Sequence, residues 1–167
     1  MNGQRVGDRT LDPAFTRYDR RDLYATFDVT KLLKQGENAI GVQLANGWYN
    51  EFTRNAWNFD IAPWRGLPRL LFRLDIVYSD GSKAAVVSDS SWKATLAGPV
   101  VFDGIRNGEH YDARREMPGW DTAAFDDSAW QTARTVPAPG GKLKAEMMPP
   151  IRDVQALPAV KVTEPDA

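Results

Sequence analysis

The sequence has no cysteine, a single histidine, and no long apolar run. Without cysteine there is no disulfide framework, no thiol nucleophile and no thiolate ligand for a metal. Any Ser-His-Asp arrangement would have to use His110, and no glycine-flanked serine elbow accompanies it. No stretch approaches the roughly 20 apolar residues of a membrane-spanning helix. The opening Met1-Asn-Gly-Gln-Arg-Val-Gly-Asp8 lacks the apolar core of a secretion signal, so a targeting segment is either absent or lies upstream, and the compartment stays open. Neither sign of charge is in excess. The 21 basic and 22 acidic residues are interspersed and sum to −1, which predicts neither nucleic acid nor an anionic membrane as partner.

What is present suits one globular domain. A chain of 167 residues with 43% hydrophobic composition has enough apolar area for a core. Six tryptophans add large surfaces to it. The hydrophobic pattern has period two almost throughout. Strands are predicted from Asp22 to Val29, Asn38 to Ala45 and Arg69 to Tyr78. In the last of these, Leu70, Phe72, Leu74, Ile76 and Tyr78 share a face opposite Arg73 and Asp75. Ser79-Asp-Gly-Ser82 turns the chain into Lys83 to Ser88. Further strands are predicted at Ser91 to Leu96, Val100 to Ile105, Gln131 to Val136 and Val154 to Val162. Asn2-Gly3 is a hairpin-type turn, Thr30 to Gly36 a single helical turn, and Trp120 to Trp130 another. Many short strands between turn signals predict an all-β fold, a jelly-roll-like antiparallel β-sandwich with one or two single-turn helices.

Several segments in shared order resemble the N-terminal domain of bacterial α-L-rhamnosidases, in family 78 of the glycoside hydrolases. They are Asn2-Gly-Gln-Arg-Val-Gly-Asp8, Phe27-Asp-Val-Thr30 with Gly36-Glu-Asn-Ala-Ile40, Asn46-Gly-Trp-Tyr49 and Ser88-Asp-Ser-Ser-Trp92. Asn107-Gly-Glu-His-Tyr-Asp-Ala-Arg114, Pro118-Gly-Trp-Asp121, Phe125-Asp-Asp-Ser-Ala-Trp130 and Met148-Pro-Pro-Ile151 complete the set. The resemblance implies a sandwich over residues 1–150, then a final strand and the start of a linker over 151–167. It also implies that hydrolysis belongs to a downstream (α/α)6 barrel of the same polypeptide, so that this segment carries no catalytic residue. The implied role is to help recognise a rhamnose-containing glycan, since related sandwich domains can bind L-rhamnose, in one case with calcium, or to brace that barrel. In the family a strand leads into the Asn-Gly turn. The sandwich is therefore expected to lack its first strand, leaving an open sheet edge through which two copies could pair as a homodimer. A stand-alone carbohydrate-binding or adhesion module is the alternative, and a self-sufficient small glycosidase a further one.

Two groups of residues are candidates for a site. The segment from Asn46 to Pro68 is long for a loop and rich in aromatics, and such loops are often functional. Trp48, Trp57 and Trp64 offer flat apolar surfaces to a sugar ring, and Asn50 and Asn58 offer amides to its hydroxyls. The same tryptophans could instead plug one end of the sandwich, and Trp92, Trp120 and Trp130 read as core. The second group is Asp103, Asn107, Glu109 and Asp112, a run of oxygen ligands dense enough for calcium. The competing reading is an ordinary turn at Asn107-Gly108 whose acids pair with Arg106, Arg114 or Arg115.

Overall fold

A computed structural model describes residues 1–54 and 57–164; Asn55 of the aromatic loop and the last three residues of the expected C-terminal segment lie outside the described residues. Ten short strands form among the described residues. They are β1 (Arg9–Thr10), β2 (Arg21–Tyr24), β3 (Arg73–Val77), β4 (Lys83–Val87), β5 (Lys93–Ala94), β6 (Val100–Gly104), β7 (Gly108–Tyr111), β8 (Gln131–Thr132), β9 (Lys142–Ala145) and β10 (Ile151–Arg152). The remaining regular structure consists of single 3-10 turns, so the chain is all-β.

The clearest alternation in the sequence gives the most regular element. β3 and β4 pair antiparallel with Leu74 opposite Val86 and Ile76 opposite Ala84. Leu74 and Ile76 are half-buried, while Arg73 and Asp75 point outward and pair at 2.8 Å. The connecting turn is set by its own residues. The Asp80 carboxylate accepts from the Ser82 N–H at 2.9 Å and from its hydroxyl at 2.7 Å, and Gly81 takes the left-handed φ of 82°. Asn2-Gly3 behaves in the same way. Both φ angles are positive, 52° and 78°, and the Gln4 N–H closes the turn on the Met1 carbonyl at 2.9 Å. This is the primed turn that the dipeptide favours.

Non-local pairing departs from expectation in four places. The strand predicted from Asp22 to Val29 shortens to β2, and it pairs with β9 in parallel, not antiparallel. More than a hundred residues separate the two, ample for the chain to return in the same direction. Asn38 to Ala45 forms no strand. Ala39 is held instead by Asn2, which donates its N–H to the Ala39 carbonyl at 3.0 Å and accepts the Ala39 N–H on its side chain at 2.9 Å. Trp120 to Trp130 forms turns without a helix, and Trp92, Trp120 and Trp130 are half-buried instead of fully enclosed. The last strand is β10, paired with β1; Val154 to Val162 finds no partner and stays exposed. The helical turn predicted from Thr30 to Gly36 shortens to Thr30–Leu32, and the Asp28 carboxylate accepts the Thr30 N–H at 2.9 Å.

The surface of the domain is large. It exposes 13318 Å², against about 8,300 Å² for a compact monomer of this mass. Each ladder has two strands, and Leu67, Leu71, Val77, Leu96 and Val101 lie exposed. The tightest backbone approach is at Gly141, where an added Cβ would sit 2.5 Å from the Tyr18 carbonyl oxygen and 2.6 Å from the Arg21 nitrogen. Main chain cannot yield as a side chain does. Gly141→Ala should therefore cost about 1–3 kcal/mol of stability, read from the urea midpoint. Gly98→Ala, which meets open space, should leave the midpoint in place; equal effects would contradict the packing described.

Candidate functional site

The aromatic loop and the acidic hairpin form one assembly. Asn46 opens the loop, and its backbone N–H donates to the Asp103 carboxylate at 2.7 Å. Its side-chain amide donates to the other carboxylate oxygen of Asp103 at 3.1 Å and to the Asp103 carbonyl at 3.0 Å. The Asn46 amide oxygen accepts from the buried Asn50 at 2.6 Å. At the tip of the β6–β7 hairpin, Asn107 accepts the Thr53 hydroxyl at 2.6 Å. Glu51 is 2% exposed and accepts the Thr53 N–H at 2.7 Å. Its second carboxylate oxygen is buried without a partner among the described residues.

On this anchor sits a cluster of rings. Phe15 lies 5.5 Å from Trp48, 5.6 Å from Phe59 and 5.8 Å from Trp64. Tyr18 meets Tyr49 at 5.0 Å and Trp64 at 5.2 Å, both edge to face, the favoured geometry for such pairs. Burial holds the Tyr18 hydroxyl protonated up to about 12, with the nearby Asp22 charge adding to the effect. The tryptophans divide between two roles. Trp64 is buried and Trp48 half-buried, but Trp57 is 62% exposed. The Arg106 guanidinium, carried on the β6–β7 turn, lies 4.4 Å from the Trp57 ring centre and 5.7 Å from that of Trp48, within cation–π range.

Beside this lies an open groove of about 380 Å³, walled by Arg17, Trp57, Asn58, Phe59, Trp64 and residues 61–63. Three of the predicted sugar-binding residues, Trp57, Asn58 and Trp64, thus come together. Asn58 holds a left-handed φ of 54° at the start of the Phe59–Ile61 turn, which asparagine tolerates better than most residues. Trp48 packs behind Phe59 at 5.6 Å, and Asn50 belongs to the buried anchor. Sequence reasoning missed Phe15, Tyr18 and Arg17, which enter from a segment some thirty residues upstream in the chain. Their one local signal is the aromatic pair flanking Arg17.

Of the predicted cation ligands, Asp103, Asn107 and Asp112 are engaged by neighbouring residues. Asp103 and Glu109 are partners across the β6–β7 ladder, but both Asp103 carboxylate oxygens are engaged by Asn46. Asp112 lies beyond β7 and caps the Ala113–Arg115 turn. Arg114 grips it with two bonds of 2.8 Å and holds its carboxyl below the usual range. Among the described residues no three His, Asp or Glu side chains converge as metal ligands. A hard cation here would have to draw on Asn107 and backbone carbonyls for its six to eight oxygens. His110 is exposed on β7, with its ring 5.0 Å from that of Phe102.

Fold and groove together define an all-β module with an aromatic loop fixed at one end. Residues 1–155 match the α-L-rhamnosidase N-terminal domain family, and the chain belongs to that family. An α-L-rhamnosidase of Formosa agariphila is 40% identical over 137 residues, 82% of this chain and 15% of the relative. One from Streptomyces avermitilis is 38% identical over 169 aligned positions, 99% of this chain and 16% of the relative. The solved structure of the Streptomyces avermitilis enzyme complexed with L-rhamnose matches with a TM-score of 0.84 at 35% identity, over 98% of this chain and 16% of that one. The α-L-rhamnosidase from Dictyoglumus thermophilum matches at 0.75 and 34%, over 92% and 16%. The chain thus spans about one sixth of these proteins.

Two predictions follow from the anchor and the ring cluster. Asp103→Ala removes two hydrogen bonds to the carboxylate and should lower stability by about 1–3 kcal/mol, with red-shifted tryptophan emission as the loop loosens. The exposed Glu109→Gln should change it by less than about 0.5 kcal/mol. The raised Tyr18 value fixes the sign of a pH effect. Below the unfolded value near 10 the ring is protonated in both states, so stability is level. Between 10 and about 12 only the unfolded state releases the proton, so stability falls as pH rises. Tyr18→Phe should flatten that fall in urea titrations across the alkaline range.

Proposed function

We propose that this chain is a non-catalytic accessory domain of an α-L-rhamnosidase, and that it helps to hold a rhamnose-bearing glycan while the rest of the polypeptide cleaves it. The observation that carries this reading is the exposure of Trp57. A ring 62% open to solvent borders the groove, with the Arg106 guanidinium over it. Around it are the groups a saccharide needs: an apolar face for the C–H side of the ring, the Asn58 amide and the Arg106 and Arg17 guanidiniums for hydroxyls. The L-rhamnose in the Streptomyces avermitilis relative's complex supports the same ligand class.

The exposed apolar residues away from the groove support a second role. Leu67, Leu71, Val77 and Leu96 would be covered by the remaining polypeptide, with this domain bracing the catalytic part. The open ladder edges would serve the same contact, or the pairing of a second copy as a homodimer.

Calorimetric titration of L-rhamnose into the chain, with and without calcium, tests the binding role. The expected dissociation constant is of order 1 mM, about −4 kcal/mol. Trp57→Ala should weaken binding at least about tenfold, or 1.4 kcal/mol, without changing the urea midpoint. A chromogenic rhamnoside should show no turnover. Heat silence at 20 mM sugar (an amount on the order of twenty times that constant) would remove the binding role and leave bracing; turnover would overturn the non-catalytic reading.

A further inference from the structure

Arg17 lines the aromatic groove and also a second concavity of about 310 Å³, whose other walls are Thr16, Arg20 and Arg21. One arginine is therefore shared by an apolar recess and a cationic one. All three arginines are exposed, and the surrounding charge is unbalanced. Arg17 forks onto Asp19 at 2.8 and 3.1 Å, and Arg20 touches the same carboxylate only at 4.0 Å. Arg21 and Lys142 form no ion pair among the described residues, yet they sit side by side in the parallel β2–β9 register, with Lys144 two residues further along. The adjacent Asp22 is on the opposite face of β2, where its carboxyl accepts from the Gly141 backbone. Like charges that close repel and cost stability.

The position is fixed as well as charged. The Arg21 N–H bonds back to the Arg17 carbonyl at 2.9 Å, and the Thr16 hydroxyl donates to the Arg21 carbonyl. Gly141 packs against the main chain of Tyr18 and Arg21 with no room for a side chain. Tyr18 and Phe15, which flank Arg17, are held in the ring cluster beside the groove. The guanidiniums are thus presented from a braced segment. Planar guanidiniums at such a site select carboxylate and sulfate oxygens, which they bind through paired N–H donors.

We propose that the Thr16–Arg21 recess binds an anionic substituent, carboxylate or sulfate, of a glycan whose neutral sugar lies in the Trp57 groove. This rests on the carbohydrate-binding reading and narrows it to acidic rhamnose-containing glycans. The test titrates the chain with three probes: L-rhamnose, a rhamnosyl-uronic acid disaccharide and a singly sulfated rhamnose. At low salt at least one anionic probe should bind about tenfold tighter than L-rhamnose. The advantage should vanish near 1 M salt, where charges beyond about 3 Å are screened. The arm that gains identifies carboxylate or sulfate as the group read. The double variant Arg20→Gln, Arg21→Gln should bring the anionic probe to the neutral level and leave L-rhamnose affinity unchanged. Equal affinity of all three probes at low salt overturns this proposal alone, as does an anionic advantage that survives the double variant. Failure of every probe, neutral and charged, overturns the carbohydrate reading and this proposal with it. The salt dependence of the unmodified chain decides the matter even if the double variant does not fold.

Discussion

One carboxylate carries the organisation of this domain. Asp103, on a short hairpin, accepts from both the backbone and the side chain of Asn46, and so fixes the point at which the 46–68 loop leaves the scaffold. A charged acceptor strengthens such bonds to about twice those of neutral pairs. Everything functional in the loop is measured from that point. Asn50 and Thr53 extend the bonding inward and back to the hairpin tip. The turn of the same hairpin then places Arg106 over Trp57. Without the anchor, the entropy of so long a loop would scatter the aromatic groups.

On that frame the tryptophans divide their work by exposure. Trp64 and Trp48 spend their area on Phe15, Tyr18 and Phe59, and this packing keeps the groove open instead of letting it collapse. Trp57 is left to face outward. The wider surface follows the same logic. Two-stranded ladders bury little area by themselves, and the excess of exposed surface is what a segment spanning one sixth of its relatives would show if the rest of the polypeptide completed its packing.

Local features were legible in the sequence, and long-range ones were not. The β3–β4 hairpin and the turns at Asn2-Gly3 and Asp80-Gly81 came through because alternation and turn chemistry act within a few residues. The parallel β2–β9 pairing was missed because its partners are far apart in the chain, and Asn38 to Ala45 because a period-two pattern does not say whether a ladder partner exists. The aromatic loop was recognisable as a candidate site, yet Phe15, Tyr18 and Arg17 come from elsewhere in the chain. Asp103 shows a different limit. An acid beside an Asn-Gly turn gives no sign in the sequence that Asn46 bonds it. The family itself was readable from the order of several weak motifs, which no single stretch would have carried.

The central claim is that the end of the domain carrying Trp57 meets sugar. Its most direct measurement is the set of tryptophan indole N–H signals in a nitrogen-15 spectrum during titration with L-rhamnose. The account predicts that the signals of Trp57 and Trp64 move together along one saturating curve while those of Trp92, Trp120 and Trp130 stay in place. Signals that all stay still, or movement confined to the latter three, would contradict it.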